Sequence, residues 1–273
     1  MVQPLRAVTP QPPLLLREAH GAIAVLTLNR PAARNSLSEE LIGELHAELD
    51  AIAGDAAVRA VVIAASGSVF SAGHDLKQLT AHRADGDRGR AYFSHMMSIC
   101  SAMMQAVVRL PKPVVAAVQG VATAAGCQLV ASCDLAVASE HATFATPGVD
   151  IGLFCSTPMV ALSRNVSRKQ AMEMLLTGEP ISAGRAREIG LVNRVVAAGT
   201  ERDAAIALAE QVARKSAHTI RLGKEAFYRQ AEMGLAEAYR FASEVMTENM
   251  MAVDAEEGIG AFIEKRAPTW QDR

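Results

Sequence analysis

Two short stretches hold the residues whose types and spacing can do chemistry. Residues 116–135 read AAVQGVATAAGCQLVASCDL: an apolar strand, a cluster of Gly and Ala, then an apolar helix with no bulky residue at the junction. Small residues there let a ligand approach the backbone closely. A helix that starts there offers unpaired N–H groups to an anionic oxygen. Taken alone, the segment fits close packing of a helix on a sheet equally well. Residues 58–76, VRAVVIAASGSVFSAGHDL, repeat the arrangement, with Gly73-His74-Asp75 opening a helix. Two such elements can converge their backbone N–H groups on one oxygen. That is an oxyanion hole, suited to charge developing on a thioester carbonyl.

The elements that must position these turns follow from periodicity and turn chemistry. LLLREAHGAIAVLTLN (14–29) reads as two strands turning near His20-Gly21. Leu41, Leu45 and Leu49 mark a helix over 36–53, capped by Ser38 with Glu39 and Glu40 in its first turn. A strand at 58–65 leads to the first Gly turn, and polar residues 80–90 read as a flexible loop lying over a site. A long helix fills 91–109 and ends before Pro111 and Pro113; strand 114–119, helix 125–133, strand 134–139 and an extended piece at 143–146 follow. This alternation predicts an α/β fold with a buried, largely parallel sheet. From about residue 157 the chain is helical apart from a strand at 192–196, with one long run over 219–250. Met246, Met250 and Met251 fall at helical spacing, as packing or a subunit contact.

Composition removes several classes. The 273 residues carry a formal charge of −2 with half of them apolar, so no basic excess suggests nucleic acid. No stretch is long and apolar enough for a membrane span. PLLL (13–16) is too short for a signal peptide, and a soluble cytoplasmic protein is expected. Cys100, Cys127, Cys133 and Cys155 have no paired-ligand spacing and read as reduced core residues, while the seven His form no metal signature.

The chain resembles the crotonase (enoyl-CoA hydratase/isomerase) superfamily along almost its whole length. The landmarks are LTLNRPAARNSLS (26–38), VFSAGHDL (69–76), KPVVAAVQGVATAAGCQLVASCDLAVAS (112–139), TFATPGVDIGL (143–153), LLTGEPISAGRAREIGLVNRVV (175–196) and GIGAFIEKR (258–266). Pro-rich, apolar-poor residues 1–13 read as a mobile arm, and the resemblance implies a spiral of ββα units over 14–200 with a helical oligomerisation region at 201–273. It also implies trimers or dimers of trimers and an acyl-CoA thioester substrate. No separate cofactor is implied, since coenzyme A enters as part of the substrate. The oxyanion donors map to the main-chain N–H groups of His74 and Ala125, within a substrate loop of Ala72, Gly73, His74, Asp75, Leu76 and Lys77. Arg30, Arg34 and Lys77 are the cations expected for coenzyme A phosphates, with Phe262 and Lys265 reaching the nucleotide of a neighbouring subunit.

The same resemblance makes the reaction unusual. Hydration of an enoyl thioester needs a base for water and an acid for the α-carbon. Two glutamates do this work in resembling hydratases, and their positions here are Gln128 and Gly148. Neither titrates, so a nominal hydratase with weak or altered hydration is expected, and a Gln128→Glu, Gly148→Glu double variant should gain hydratase activity if the site is otherwise intact. Ser156 stands where some isomerases and dehalogenases carry an acid, and Asp150 is expected to be structural. The Gly-His-Asp loop also resembles a methylmalonyl-CoA decarboxylase-like branch, which has a tyrosine near the position of Cys155. Decarboxylation through an enolate and non-catalytic acyl-CoA binding are the alternatives.

Overall fold

The computed structural model describes residues 12–273, so the expected arm at 1–13 lies almost wholly outside the described residues. The chain opens with an antiparallel hairpin of β1 (Leu15–His20) and β2 (Ile23–Leu28), turning over Gly21 at φ +57°. Every residue of β2 is buried, as a strand inside a sheet covered on both faces requires. Helix α1 (Glu39–Gly54) follows, its N-terminus capped by Ser38 Oγ, which accepts from the Leu41 N–H at 3.3 Å.

Three units then repeat one plan. The first is β3 (Ala60–Ala65), β4 (Val69–Ser71), α2 (Leu76–Ala81) and α3 (Arg90–Arg109). The second is β5 (Val114–Val118), β6 (Val121–Thr123) and α4 (Ala125–Ser132). The third is β7 (Leu135–Ser139), β8 (Thr143–Ala145), a 3-10 turn at Pro147–Ile151, α5 (Pro158–Asn165) and α6 (Arg168–Thr177). Each unit sends its first strand to a six-stranded sheet, ordered β1-β2-β3-β5-β7 with β10 (Arg194–Val196) at the far edge. Each sends its second strand to a smaller sheet, ordered β4-β6-β8 and closed by the antiparallel β9 (Ile181–Ser182). Helix α7 (Ala183–Glu188) joins β9 to β10. Only β1 runs antiparallel within the larger sheet.

The strand period of two divides the core. Leu26, Leu28, Ile63, Val114 and Ala116 face a large cluster with α1, α3 and α4, whereas Val25, Val62, Val115 and Val137 face Ala205, Ile206, Leu208 and Ala209. Those last residues lie on α8 (Glu201–Ala213). Helix α8, grouped by the sequence with the C-terminal helices, therefore covers the second face of the larger sheet.

Helices α9 (Ala217–Gln230), α10 (Leu235–Met250) and α11 (Val253–Glu264) complete the chain. Asp134, just before β7, fastens α9 to the sheet: its carboxylate accepts from Lys224 Nζ at 2.7 Å, Tyr228 OH at 2.9 Å and the Val114 N–H at 2.7 Å. Burial pulls the Lys224 ammonium below its ordinary value and pushes the Tyr228 phenol up. Removing one partner from such a buried pair costs about 3–5 kcal/mol.

Several expectations are corrected. Residues 80–90 are not a featureless loop: α2 runs to Ala81, a 3-10 turn spans His82–Ala84, and the Asp87 carboxylate accepts from the Gly89 and Ala91 N–H groups at the start of α3. The His82 ring stacks on Tyr92 with centroids 3.5 Å apart. The helical run over 219–250 breaks between Gln230 and Leu235, where Gly234 adopts an extended conformation. Met246, Met250 and Met251 are exposed rather than packed in the core.

Candidate active site

Because β4, β6 and β8 are parallel neighbours, their carboxyl ends lie side by side. Three turns leave those ends: Ala72–Asp75, Ala124 with Ala125, and Thr146–Gly148. The carboxyl end of a parallel sheet is where such folds bind ligands.

The first two turns touch. Gly73 has φ +83°, and a Cβ built on it would stand 3.0 Å from Ala124 Cβ, 3.1 Å from Thr123 O and 3.2 Å from Ala125 N. Leu37 holds the first turn from outside, its N–H donating to Gly73 O at 2.8 Å and its carbonyl accepting from the Asp75 N–H at 3.2 Å. In this parallel bridge the N–H of His74 points away from Leu37, and it has no acceptor among the described residues. The Ala125 N–H opens α4 and has no carbonyl one turn back to bond. Between them, Ala124 sits at φ 48°, ψ −118°, its N–H donating to Ala145 O at 2.9 Å. A non-glycine residue there stores roughly 1–3 kcal/mol of strain. The close seat of α4 explains Gly126, where a Cβ would come within 2.3 Å of Ser71 O.

Asp75 is a positioning group. Its Oδ1 accepts from the N–H groups of Lys77 at 3.1 Å and Gln78 at 3.2 Å, and its Oδ2 meets Arg30 Nη2 at 3.1 Å. Burial alone would raise the carboxyl's pKa, but the Gln78 N–H and the Arg30 guanidinium outweigh it and hold it below the usual range. Arg30 also donates from Nη1 to Ser36 O and Oγ, so this cation, expected on a phosphate, is committed inside the loop. Arg34 and Lys77 are exposed and have no ion pair among the described residues. Ala72 and Leu76 flank the turn, Leu76 half exposed. Phe262 and Lys265 are exposed on and just after α11, which packs beside α10.

The reactive side chains are few. Gln128, one turn into α4, is buried, and its Oε1 has no partner among the described residues; the same is true of Thr146 Oγ1 and His74 Nε2. Burial pulls the His74 imidazole below its ordinary value, which keeps it neutral at pH 7. Gly148 has no room for a side chain: an added Cβ would lie 2.9 Å from both Cys155 Sγ and Leu153 O. A glutamate at 148 therefore has to displace the backbone of 153–155, so the site would not stay intact around a rebuilt carboxylate pair. Asp150 is exposed with no ion pair among the described residues, and Ser156 is exposed with its Oγ on Phe154 O. All four cysteines are buried and free, and burial pushes the Cys127 thiol up to about 12. Among the described residues, no group of three or more His, Cys, Asp or Glu could hold a metal ion.

Three positioning residues escape a reading of the sequence. Asn35 is fully buried at φ 49°; its Oδ1 accepts from the Arg30 N–H and its Nδ2 donates to Ser66 O and Val69 O. Ser71 Oγ donates to Asn35 O at 2.9 Å. Gln119 Nε2 donates to Ala65 O, Gly67 O and Val69 O. A buried polar residue needs partners, and Asn beside Arg-Pro turn signals is the one trace of this in the sequence.

A spiral of ββα units with adjoining turns at the ends of its smaller sheet is the crotonase fold. The chain belongs to the enoyl-CoA hydratase/isomerase family, whose pattern matches residues 18–273. It is 50% identical to an enoyl-CoA hydratase of Mycobacterium smegmatis, whose crystal structure superposes with a TM-score of 0.90 over 95% of this chain and 99% of that one. The human enoyl-CoA hydratase domain-containing protein 3 superposes with a TM-score of 0.89 at 43% identity, over 94% of this chain and all of that one. The Xenopus laevis protein of that name is 47% identical over 95% of this chain and 86% of its own length. That name carries the word mitochondrial, which differs from the cytoplasmic expectation. No helix among the described residues is long and apolar enough to cross a membrane.

Proposed function

We propose that the chain binds acyl-CoA thioesters and stabilises their enolates between the main-chain N–H groups of His74 and Ala125, with slow hydration of enoyl-CoA. The observation that carries this is the contact of Gly73 with the Ala124–Ala125 turn, beside two N–H groups without protein acceptors. Gln128 can orient a water but cannot take its proton, and Gly148 offers no side chain. The loss of one general acid–base group costs about 10²–10⁴-fold in rate. Arg34 and Lys77 supply charge for the phosphates of coenzyme A.

Butyryl-CoA binding by calorimetry, with crotonyl-CoA hydration by the same preparation, tests this reading. Binding with slow hydration is expected. Absence of binding defeats the reading, and hydration near the diffusion ceiling defeats its claim of weak acid–base chemistry.

The neutral, unpartnered Nε2 of His74 favours one second reading, loss of carbon dioxide from a malonyl-type thioester, which needs an enolate sink more than an acid–base pair. Release of carbon dioxide from malonyl- or methylmalonyl-CoA separates it from simple binding. The exposed Leu235, Tyr239, Met251, Phe262 and Ile263 on or beside α10 and α11 favour assembly into trimers or pairs of trimers. Four free, buried cysteines fit a reducing compartment, cytoplasmic or mitochondrial.

A further inference from the structure

At the amino ends of β3 and β5, away from the three turns, a cavity of about 180 Å³ opens between that end of the sheet and α9. Its lining includes Arg59, Lys112, Lys215, His218, Arg221 and one carboxylate, Asp272. That carboxylate comes from the C-terminal segment, which folds back across α11. Trp270 Nε1 donates to Arg214 O at 2.9 Å and its ring lies against Gly258. The Gln271 and Asp272 N–H groups donate to the buried carboxylate of Asp254 at 2.7 and 2.9 Å. Asp272 then pairs with Arg59 and accepts from the Ala217 N–H, at the first position of α9, at 2.7 Å.

We propose that the cavity is a seat for a phosphate-class oxyanion, that Asp272 is its built-in occupant, and that residues 270–273 are a strap exchanging with the external anion. The groups that hold Asp272, a guanidinium and a main-chain N–H, are those that bind phosphate oxygens. The lining holds four formal cations, Arg59, Lys112, Lys215 and Arg221, against one carboxylate. Lys112 is spent on Ile52 O and Asp55 O, while Lys215 and Arg221 are exposed and have no ion pair among the described residues. With the strap in place, Asp272 offsets one charge. With the strap withdrawn, the cations face an empty cavity, and an anion that binds only this state shifts the chain toward it. The strap also braces α11, which carries Phe262, so exchange at the seat loosens the support of that helix.

Trp270 is the chain's single tryptophan, so its emission reports the strap alone. The protein of 273 residues is titrated with inorganic phosphate, against chloride at equal ionic strength, and phosphate binding to wild type and Asp272→Ala is measured by calorimetry. The expected result is a saturable red shift with phosphate but not with chloride. Asp272→Ala, freed of the internal competitor, should bind phosphate at least about tenfold more tightly than wild type. Emission indifferent to phosphate in the wild type overturns the exchange without any appeal to a variant. A variant that folds but gains no affinity overturns the seat.

Discussion

Gly73 lies against the amide of Ala125, so close that a Cβ on Gly73 would stand 3.2 Å from that nitrogen. The left-handed φ of +83° and this contact together put any larger residue under strain and force its neighbours to give way. Gly73→Ala should push the two turns apart and lower turnover of an accepted acyl-CoA by about 10²–10³-fold, as loss of an oxyanion donor does. Steady-state kinetics beside a melting curve separates this from unfolding: a folded variant with unchanged kcat would show that the contact is not used.

Ala124 holds its strained backbone between those two turns. Ala124→Gly should raise stability by about 1 kcal/mol, the strain relieved less the entropy cost of glycine. Acyl-CoA affinity should fall, because the turn loses its single shape. Urea unfolding and calorimetry check both signs, and a loss of stability would mean that the methyl contact with Gly73 outweighs the strain.

Arg30 separates from Arg34 and Lys77 by what each touches. Arg30→Met leaves Asp75 without its ion pair at a site where both side chains are mostly buried, and should cost about 1–3 kcal/mol. Arg34→Ala and Lys77→Ala should leave the melting temperature unchanged and weaken coenzyme A binding with a reduced salt dependence. The reverse pattern would place Arg30 on the phosphate.

His74 adds a pH signature. Its folded pKa lies below the ordinary 6.5, so between the two values the unfolded chain binds more protons. Its contribution is complete above pH 6.5 and is lost as the pH falls through the folded value. Melting curves from pH 7.5 downward should show the wild type losing stability relative to His74→Asn from about pH 6.5. Parallel curves would mean that the ring is solvated.

Gln128 and Gly148 respond differently to a restored carboxylate. Gln128→Glu replaces one planar side chain with another of the same size and should raise crotonyl-CoA hydration by about tenfold or more. Gly148→Glu must displace Leu153 O and should lower the melting temperature without helping the reaction. Kinetics and melting of the two single variants decide it, and a stable, faster Gly148→Glu would contradict the packing described.

The hairpin, the Ser38-capped helix and the long buried strands were legible because each writes a strong local pattern: alternation, a cap or an apolar run. The two helix-opening turns were legible from their small residues. The splitting of strands into two sheets was not, because β4 and β6 are three-residue strands of small and apolar residues beside turns, and β9 has only two residues. Nor was the commitment of Arg30, since a cation on a loop looks the same whether it meets solvent or Asp75. The filled space at Gly148 depends on Leu153 and Cys155 returning through the turn that follows, which no local pattern announces.

The parallel alignment of β4, β6 and β8 divides the labour between backbone and side chain. An amide at a strand tip comes with the fold, and any residue but proline supplies it. An acid or base must be written by one codon at one place, and a single change erases it. If those amides hold a carbonyl oxygen as proposed, that grip survives changes to the proton chemistry, so kinship predicts what such a protein holds better than what it does to it.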